Sequence, residues 1–323
     1  MPLLTVVLLN WNGKHLLPIC LDSLRAQTLQ DFDIILVDNG STDGSRELLA
    51  TEYPEVRIIP FSYNTGFCLA MNAGLREATG EFILSLNNDT KLDPECLGEL
   101  AAAMRAHPEV GICATKMVYY DEPTLINSAG HACAPDGVVV DIGRKSPDSE
   151  WFSRPREVLG ACAGACLYRK QMLDEIGLFD PDFFISYEDI ELGWRAQLTG
   201  WRAWYVPTAR VLHREGVTRQ IRGRRSLWLA TRNIVFVWTK DWPLIELIRH
   251  LPALWRAWRA RAHWLINSGH LVALPSVVGS VLRLTPRMLG RRVRIQHMRR
   301  IGRARFAELL AEGARQSRLP PEG

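Results

Sequence analysis

The chain has 323 residues, 47% of them apolar and 23% charged, which excludes a disordered or fibrous protein and allows one large domain or one domain with an appendage. Its net charge of +4 hides two unlike parts: 17 Lys+Arg against 29 Asp+Glu up to His213 (−12), then 22 against 6 from Arg214 onward (+16), so two jobs are expected of them. Seven cysteines, an odd number with no CxxC pair, argue against a disulfide framework or a zinc site and for buried, reduced thiols.

The chain starts Met1-Pro2-Leu3-Leu4-Thr5, with no basic stretch before an apolar run, which argues against a secretory signal. Leu4 to Leu9 is an apolar run of strand length, and His15 to Gln27 has helical spacing. Strands are expected at Phe32 to Val37, Val56 to Pro60 and Glu81 to Leu86. Helices are expected between them at Ser45 to Glu52 and Phe67 to Ala78. Fully apolar strands alternating with helices indicate an α/β fold: a mostly parallel, doubly wound sheet with helices on both faces. A helix at Pro94 to Ala106 and a strand at Val110 to Val118 continue the rhythm. The stretch from Asp121 to Arg156 is rich in turn residues and fits a hairpin or a loop, and small residues dominate Gly160 to Tyr168. Glu188 to Leu198 reads as a helix, Trp201 to Val206 as a strand, and Ala209 to Leu212 as another strand-like run before His213. From 216 to 323 the pattern is helical and basic, with Trp, Leu and Arg mixed in Trp228 to Lys240 and Ile245 to Trp264. Trp264 to Leu282 lacks charge but holds Asn267, His270 and Pro275, a marginal candidate for a membrane span. Nine arginines follow between Arg283 and Arg305. Trp and Arg on helices suit peripheral attachment to anionic lipid; the alternative is a basic appendage packed on the domain or on a second subunit.

In parallel sheets ligands bind beyond the carboxyl ends of the strands. Three segments leave strands there: Asn10-Trp11-Asn12, Asp38-Asn39-Gly40 and Asn87-Asn88-Asp89. An acid in the place of Asp38 can accept the N3–H of a uracil or thymine base, while Asp43 can cap the next helix. Asn64-Thr65-Gly66-Phe67 precedes a helix carrying Asn72, and amides at a helix start attract anions. Asp89 can hold Mg²⁺ or Mn²⁺ against a diphosphate, because hard cations take oxygen ligands from one or two carboxylates plus substrate phosphates. Glu188, Asp189 and Glu191 crowd one helix start. The helix dipole favours acids there, and a fixed carboxylate also suits a general base that takes a proton from an attacking hydroxyl. His213 could complete a set of metal ligands.

Taken together, these segments resemble the family 2 glycosyltransferases of the rhamnosyltransferase-like bacterial branch, over roughly Thr5 to His213. The matching residues are Leu9-Asn10-Trp11-Asn12, Val37-Asp38-Asn39-Gly40-Ser41-Thr42-Asp43-Gly44, Asn64-Thr65-Gly66-Phe67 with Asn72, and Leu86-Asn87-Asn88-Asp89-Thr90. They continue with Gly160-Ala161-Cys162, Phe183-Phe184, Glu188-Asp189, Trp194-Arg195, Gly200-Trp201 and Leu212-His213. The resemblance implies a GT-A fold over 1–215, with a nucleotide-sugar-binding half (1–118) and an acceptor half (119–215). It implies that Asp38 contacts the base, with Asn10, Asn12, Asn39, Asn64, Gly66, Asn72, Asn87 and Asn88 around the donor nucleotide. Asp89 is then the metal-binding acid of a DxD-type motif, joined by His213. Asp189 is the catalytic base, with Glu188 beside it, and Gly160, Ala161, Cys162, Trp194 and Arg195 lie on the acceptor side. The implied reaction is a single displacement, with inversion, from a nucleoside-diphosphate sugar such as dTDP-rhamnose. The implied acceptor is a saccharide or lipid-linked glycan of the cell envelope.

One departure stands out: Asn87 replaces the first acid of the DxD-type motif, removing one negative charge near the ion. The basic tail lies outside the resemblance and is expected to bring a cytoplasmic enzyme to the inner face of the membrane; a homo-oligomer stays open. Other classes fare worse. A nicotinamide dehydrogenase needs a glycine fingerprint where this chain has Asn10-Trp11-Asn12-Gly13. A non-catalytic nucleotide-sugar or glycan binder would lack the acids around Asp189. The acidic first part argues against nucleic acid as the main partner.

Overall fold

The computed structural model describes residues 1–214, 217–267 and 273–318. The four leading apolar runs form parallel strands β1 (Leu4–Asn10), β2 (Phe32–Asp38), β3 (Arg57–Pro60) and β4 (Phe82–Asn87). Helices α1 (Leu17–Arg25), α2 (Ser45–Glu52) and α3 (Phe67–Glu77) connect them. Alternate residues of β1 feed opposite faces. Leu4, Val6 and Leu8 pack with Leu17, Leu21 and Leu24 of α1, whereas Val7 packs with Phe67, Met71 and Leu75 of α3. The helix α1 begins at Leu17 rather than His15 because Pro18 occupies its first turn.

The rest of the sheet is mixed. After β5 (Thr90–Leu92) and α4 (Cys96–Ala106) come β6 (Val110–Tyr119), β7 (Ile126–Ser128), the separate hairpin β8 (His131–Cys133) and β9 (Val139–Asp141), β10 (Arg156–Val158) and β11 (Ala165–Arg169). Helices α5 (Lys170–Ile176) and α6 (Glu188–Leu198) precede β12 (Arg202–His213). The order is β10-β12-β6-β11-β4-β1-β2-β3, with β5 on β12 and β7 on β6. The two runs expected at 201–206 and 209–212 are one strand, β12, whose register against β6 shifts between Val206 and Arg210. Pro207 lies at that shift; without an N–H it cannot extend the ladder.

The basic tail forms α7 (Val217–Asp241), α8 (Leu244–Leu265), α9 (Ala273–Met298) and α10 (Arg303–Ser317). It shares the domain's core: Met288, Ile295, Phe306, Leu309 and Leu310 are buried in the same cluster as Trp194, and Trp194 stacks on Phe306 with ring centres 5.1 Å apart. Its cations pair with acids of the first part. Lys240 Nζ lies 2.8 Å from Glu191 and also binds Asp180; Arg291 reaches Asp182 at 2.8 Å, and Arg300 reaches Glu175 at 2.6 Å. The charge-free run at 264–282 is divided between the end of α8 and the start of α9, with 268–272 outside the described residues. Among the described residues no helix is long and apolar enough to cross a membrane. All seven cysteines are free; six are buried and Cys162 is half-buried.

Candidate active site

The parallel register sets Asn10 opposite Asp38 and Leu9 opposite Asn87, so three strand ends meet on one edge. Side chains continue the alignment. Asn88 Nδ2 donates to Asn10 Oδ1 (2.6 Å), and Asn10 Nδ2 donates to Asp38 Oδ1 (3.3 Å). Asp38 is fully buried, and its other oxygen accepts from the Ser41 amide (3.4 Å) and pairs with Arg46. Asn12, at φ +50°, accepts from the Thr42 amide (2.8 Å). Asn39 ties the end of β2 to the next loop: its Oδ1 accepts from the Thr65 amide (2.8 Å), and its Nδ2 donates to Asn64 Oδ1 and Gly66 O (both 3.2 Å). Asp43, one residue before the Gly44 N-cap, accepts from the Ser45 amide (3.1 Å) at the start of α2.

A cleft of about 700 Å³ opens beside β4. Asn87, Asp89, His213, Glu188, Asp189 and His131 all line it. The pairing of β5 with β12 sets His213 opposite Thr90, next in sequence to Asp89. This places His213 Nε2 3.4 Å from Asp89 Oδ1, while His213 Nδ1 is 2.9 Å from Asn127 Oδ1. An amide oxygen on Nδ1 selects the tautomer with its proton there, leaving a lone pair on Nε2. The Nε2 lone pair and a carboxylate oxygen then face each other across a short gap. Imidazole nitrogen and carboxylate oxygen are ligands that divalent cations take, so the residues fit a metal. Among the described residues no cluster of three or more His, Cys, Asp or Glu could hold one alone; further ligands must come from elsewhere.

Asp189 sits in the first turn of α6. Its Oδ2 accepts from the Ala163 amide (3.1 Å) and its Oδ1 from the Ile190 amide (2.9 Å). Gly160 and Gly193 favour this approach: a Cβ on either would lie 3.1 Å from the other's Cα, tighter than an ordinary contact, so α6 rests on the 159–160 backbone most easily with glycine at both places. His131 Nε2 lies 3.4 Å from Asp141 and 4.0 Å from Asp189. Burial works against its imidazolium, but Asp189, Asp141 and Glu188 outweigh that and hold its pKa above the ordinary 6.5.

A sequence model of the family described as Glycosyl transferase family 2 matches residues 5–177, more than half of the chain. The chain belongs to glycosyl transferase family 2. The transferase is 28% identical over 313 residues to the N-acetylglucosaminyl-diphospho-decaprenol L-rhamnosyltransferase of Mycobacterium tuberculosis, covering 88% of this chain and 95% of that one. It is 28% identical to the O-antigen biosynthesis protein RfbC of Myxococcus xanthus over 68% of this chain and 18% of that protein. It is therefore a rhamnosyltransferase-like glycosyltransferase. Solved structures carry the same GT-A fold at 17% identity. TarS residues 1–349 of S. aureus match with TM-score 0.58 over 98% of this chain and 92% of that chain. The mannosyltransferase PcManGT of Pyrobaculum calidifontis, in complex with GDP-Man and Mn²⁺, matches with TM-score 0.53 over 99% and 88%.

Not every expected site residue of the transferase reaches the cleft: of the donor-side set only Asn87 lines it, whereas Asn10, Asn12, Asp38, Asn39, Asn64, Gly66 and Asn88 are tied together at the strand ends without lining it. Asn72 is turned inward: its Nδ2 donates to Phe179 O (2.7 Å) and its Oδ1 accepts from the Phe179 amide (3.0 Å), pinning α3 to that segment. Trp194 is core, against Trp242 and Phe306. Arg195 is buried, forks onto Glu191 and donates to the carbonyls of Ile176, Gly177 and Leu178. Gly160 and Ala161 provide packing, and of the Gly160-Ala161-Cys162 trio only Cys162 lines the cleft. His131, Asp141 and Asn127 line it without having been expected there. They lie in the turn-rich stretch, where a lone His beside small residues carries no periodic signal. Tail residues Ala230, Arg261, Gln316 and Ser317 also reach the cleft wall.

Proposed function

We propose that this transferase moves a sugar, with inversion, from a nucleoside-diphosphate donor to a hydroxyl of a lipid-linked saccharide. In this reading Asp189 removes the acceptor proton, the acceptor oxygen bonds to the anomeric carbon, and the bond to the diphosphate breaks on the opposite side. The observation that carries it is one cleft lined both by an anchored carboxylate, Asp189, and by the Asp89–His213 pair. The Ala163 N–H fixes one oxygen of Asp189 and so aims the carboxylate. Asp89 and His213 would hold Mg²⁺ or Mn²⁺, whose charge would steady the departing diphosphate; donor phosphates would complete its shell. Asn87 supplies no charge, so Asp89 is the one acid of its segment available to that ion. Asp38 receives the base, Asn10, Asn12, Asn39 and Asn64 shape its seat, and residues 1–118 and 119–215 act as donor and acceptor halves.

The Mycobacterium relative, named for rhamnosyl transfer onto an N-acetylglucosaminyl-diphospho-decaprenol, supports a rhamnosyl donor and a lipid-diphosphate acceptor; dTDP as the nucleotide follows from the resemblance of the motifs. A membrane acceptor also suits the tail. Leu244, Ile245, Ile248, Leu251 and Trp255 are exposed along α8, and Leu282, Leu289 and Val293 along α9. Exposed Arg249, Arg256 and Arg259 flank the first stripe. Apolar side chains beside arginines suit the interface of an anionic bilayer.

The test is a donor screen on the purified protein with a GlcNAc-diphosphate-lipid acceptor, reading released nucleoside diphosphate with Mn²⁺, Mg²⁺ or chelator and the product's anomeric configuration by NMR. Release from dTDP-rhamnose, dependent on metal and inverting, is expected. A retained configuration, or turnover indifferent to chelator, would overturn the displacement or the metal respectively. Flotation with anionic against neutral vesicles tests the membrane surface.

A further inference from the structure

The segment ahead of α6 has an unusual backbone. Phe184, Ser186 and Tyr187 all have positive φ, at +65°, +72° and +70°. None is glycine, so each sits in a region that side chains disfavour and that holds only where neighbours enforce it. Tyr187 is the residue immediately before α6, whose first turn carries Asp189.

The enforcing groups come from the tail. Asn233 on α7 is fully buried. Its Nδ2 donates to Phe183 O (3.0 Å), Ile185 O (3.1 Å) and Ser186 O (2.6 Å). Neighbouring Arg232 donates through Nη2 to Asp182 O (2.6 Å) and Phe183 O (3.2 Å). The Arg232 Nε also donates to Asn233 Oδ1 (2.9 Å), which fixes the amide with its NH₂ toward the loop. Carbonyls in a bent, buried loop cannot pair along a helix or strand and are costly if left unmet. Two adjacent side chains of α7 meet four of them. On its other side the loop touches the donor region: the Cys68 amide donates to Phe184 O (3.2 Å), and the Phe184 ring packs so closely on Gly66 that a Cβ there would lie 2.6 Å from it.

We propose that Asn233 and Arg232 are positioning residues for transfer: they hold the 183–187 loop in its disfavoured conformation and so set the carboxylate of Asp189 toward the acceptor hydroxyl. The tail is then a working part of the catalytic unit and not only its attachment. This rests on the assignment of Asp189 as base.

The test uses the full-length protein, the donor and acceptor found in the screen, and the nucleoside diphosphate with Mn²⁺ as a binding probe. Asn233→Ala removes the donors, and Asn233→Asp, of equal size, turns an oxygen toward three carbonyls. Each is expected to lower kcat by about 10–100-fold, since misplacement by about 1 Å costs that much, with probe affinity within about twofold of wild type. Ser186→Gly in the Asn233→Ala background should recover at least about threefold of kcat, because glycine adopts positive φ freely; a merely structural defect would not respond to it. Arg232→Lys, which keeps the charge and loses the fork, gives the same reading if Asn233→Ala does not fold. Normal kcat in folded Asn233 and Arg232 variants, with Asp189→Asn inactive, overturns the clamp and leaves the base standing. Loss of kcat in step with melting temperature, without recovery by Ser186→Gly, also overturns it. Normal turnover in Asp189→Asn overturns the base assignment itself.

Discussion

Replacing Asp189 by Asn separates the chemistry of the carboxylate from its place in the fold. The amide has the same shape, and its oxygen can still accept from the Ala163 N–H at 3.1 Å. Its nitrogen then faces the Ile190 amide, which now meets a donor in place of an acceptor. The helix loses one first-turn charge, worth about 0.3–1 kcal/mol, and keeps Glu188 and Glu191 there. The folding cost is therefore about 1 kcal/mol. The kinetic cost is larger, because a positioned general base contributes roughly 10²–10⁴-fold. A thousandfold loss corresponds to about 4 kcal/mol in the barrier, several times the folding term. The variant should melt within a few degrees of wild type, bind the nucleoside-diphosphate donor nearly as well by calorimetry, and release product about a thousandfold more slowly. Turnover within tenfold of wild type would show that the proton goes elsewhere.

Asp89→Ala removes the acid opposed to His213; the thermal shift given by Mn²⁺ with nucleoside diphosphate should vanish and turnover should fall at least about a hundredfold, consistent with several kcal/mol of charge stabilisation. An unchanged Mn²⁺ shift would contradict this. His131 has a folded pKa above its unfolded one, so its stabilising contribution is complete below the ordinary value of 6.5 and lost as pH rises through the raised folded value. Wild type should therefore lose melting temperature more steeply than His131→Gln as pH is raised through and beyond the ordinary histidine range, and parallel curves would refute it. Lys240→Met leaves the buried Asp180 and Glu191 without their shared cation, though Arg291 and Arg195 still face them. Breaking a buried pair costs about 3–5 kcal/mol, and the remaining arginines put the expectation near about 3; a loss under about 1 kcal/mol by urea unfolding would contradict it.

The sheet was readable because parallel strands are apolar on both faces, so Leu4 to Leu9 and Phe32 to Val37 carry a signal that needs no partner. The strand ends Asn10, Asp38 and Asn87 follow from that, since register alone aligns them. Amides are harder. Asn39 and Asn72 look alike in sequence, yet one joins the strand edge to the 64–66 loop and the other locks α3 to Phe179. Only long-range placement separates them. Trp194 and Arg195 stand in the same helix as Asp189, but a turn and more beyond it, and helical periodicity carries Trp194 round to Trp242 and Phe306 and Arg195 to Glu191 and the carbonyls of Ile176 to Leu178. His131 was illegible for the opposite reason: its partners Asp141 and Asp189 are 10 and 58 positions away, and nothing local marks the meeting.

The charge asymmetry has an internal explanation as well as an external one. Acids of the first part at Glu157, Glu175, Asp180, Asp182 and Glu191 meet Arg305, Arg300, Arg291, Arg287 and Lys240 of the tail. Much of the −12 and the +16 is thus two faces of one interface. Among the described arginines outside these pairs, Arg249, Arg256 and Arg259 on α8 and Arg283 and Arg294 on α9 are exposed. Those stand beside exposed Ile248, Leu251, Trp255, Leu282 and Val293. Of the inward set, Lys240 fastens α7, which carries Asn233, to Asp180 and Glu191 on either side of the loop before Asp189; the exposed arginines are proposed to meet lipid. Truncating the tail removes both together, so loss of activity after truncation says nothing about membranes. Changing the outward residues singly leaves the inward pairs intact, and only that separates attachment from catalysis.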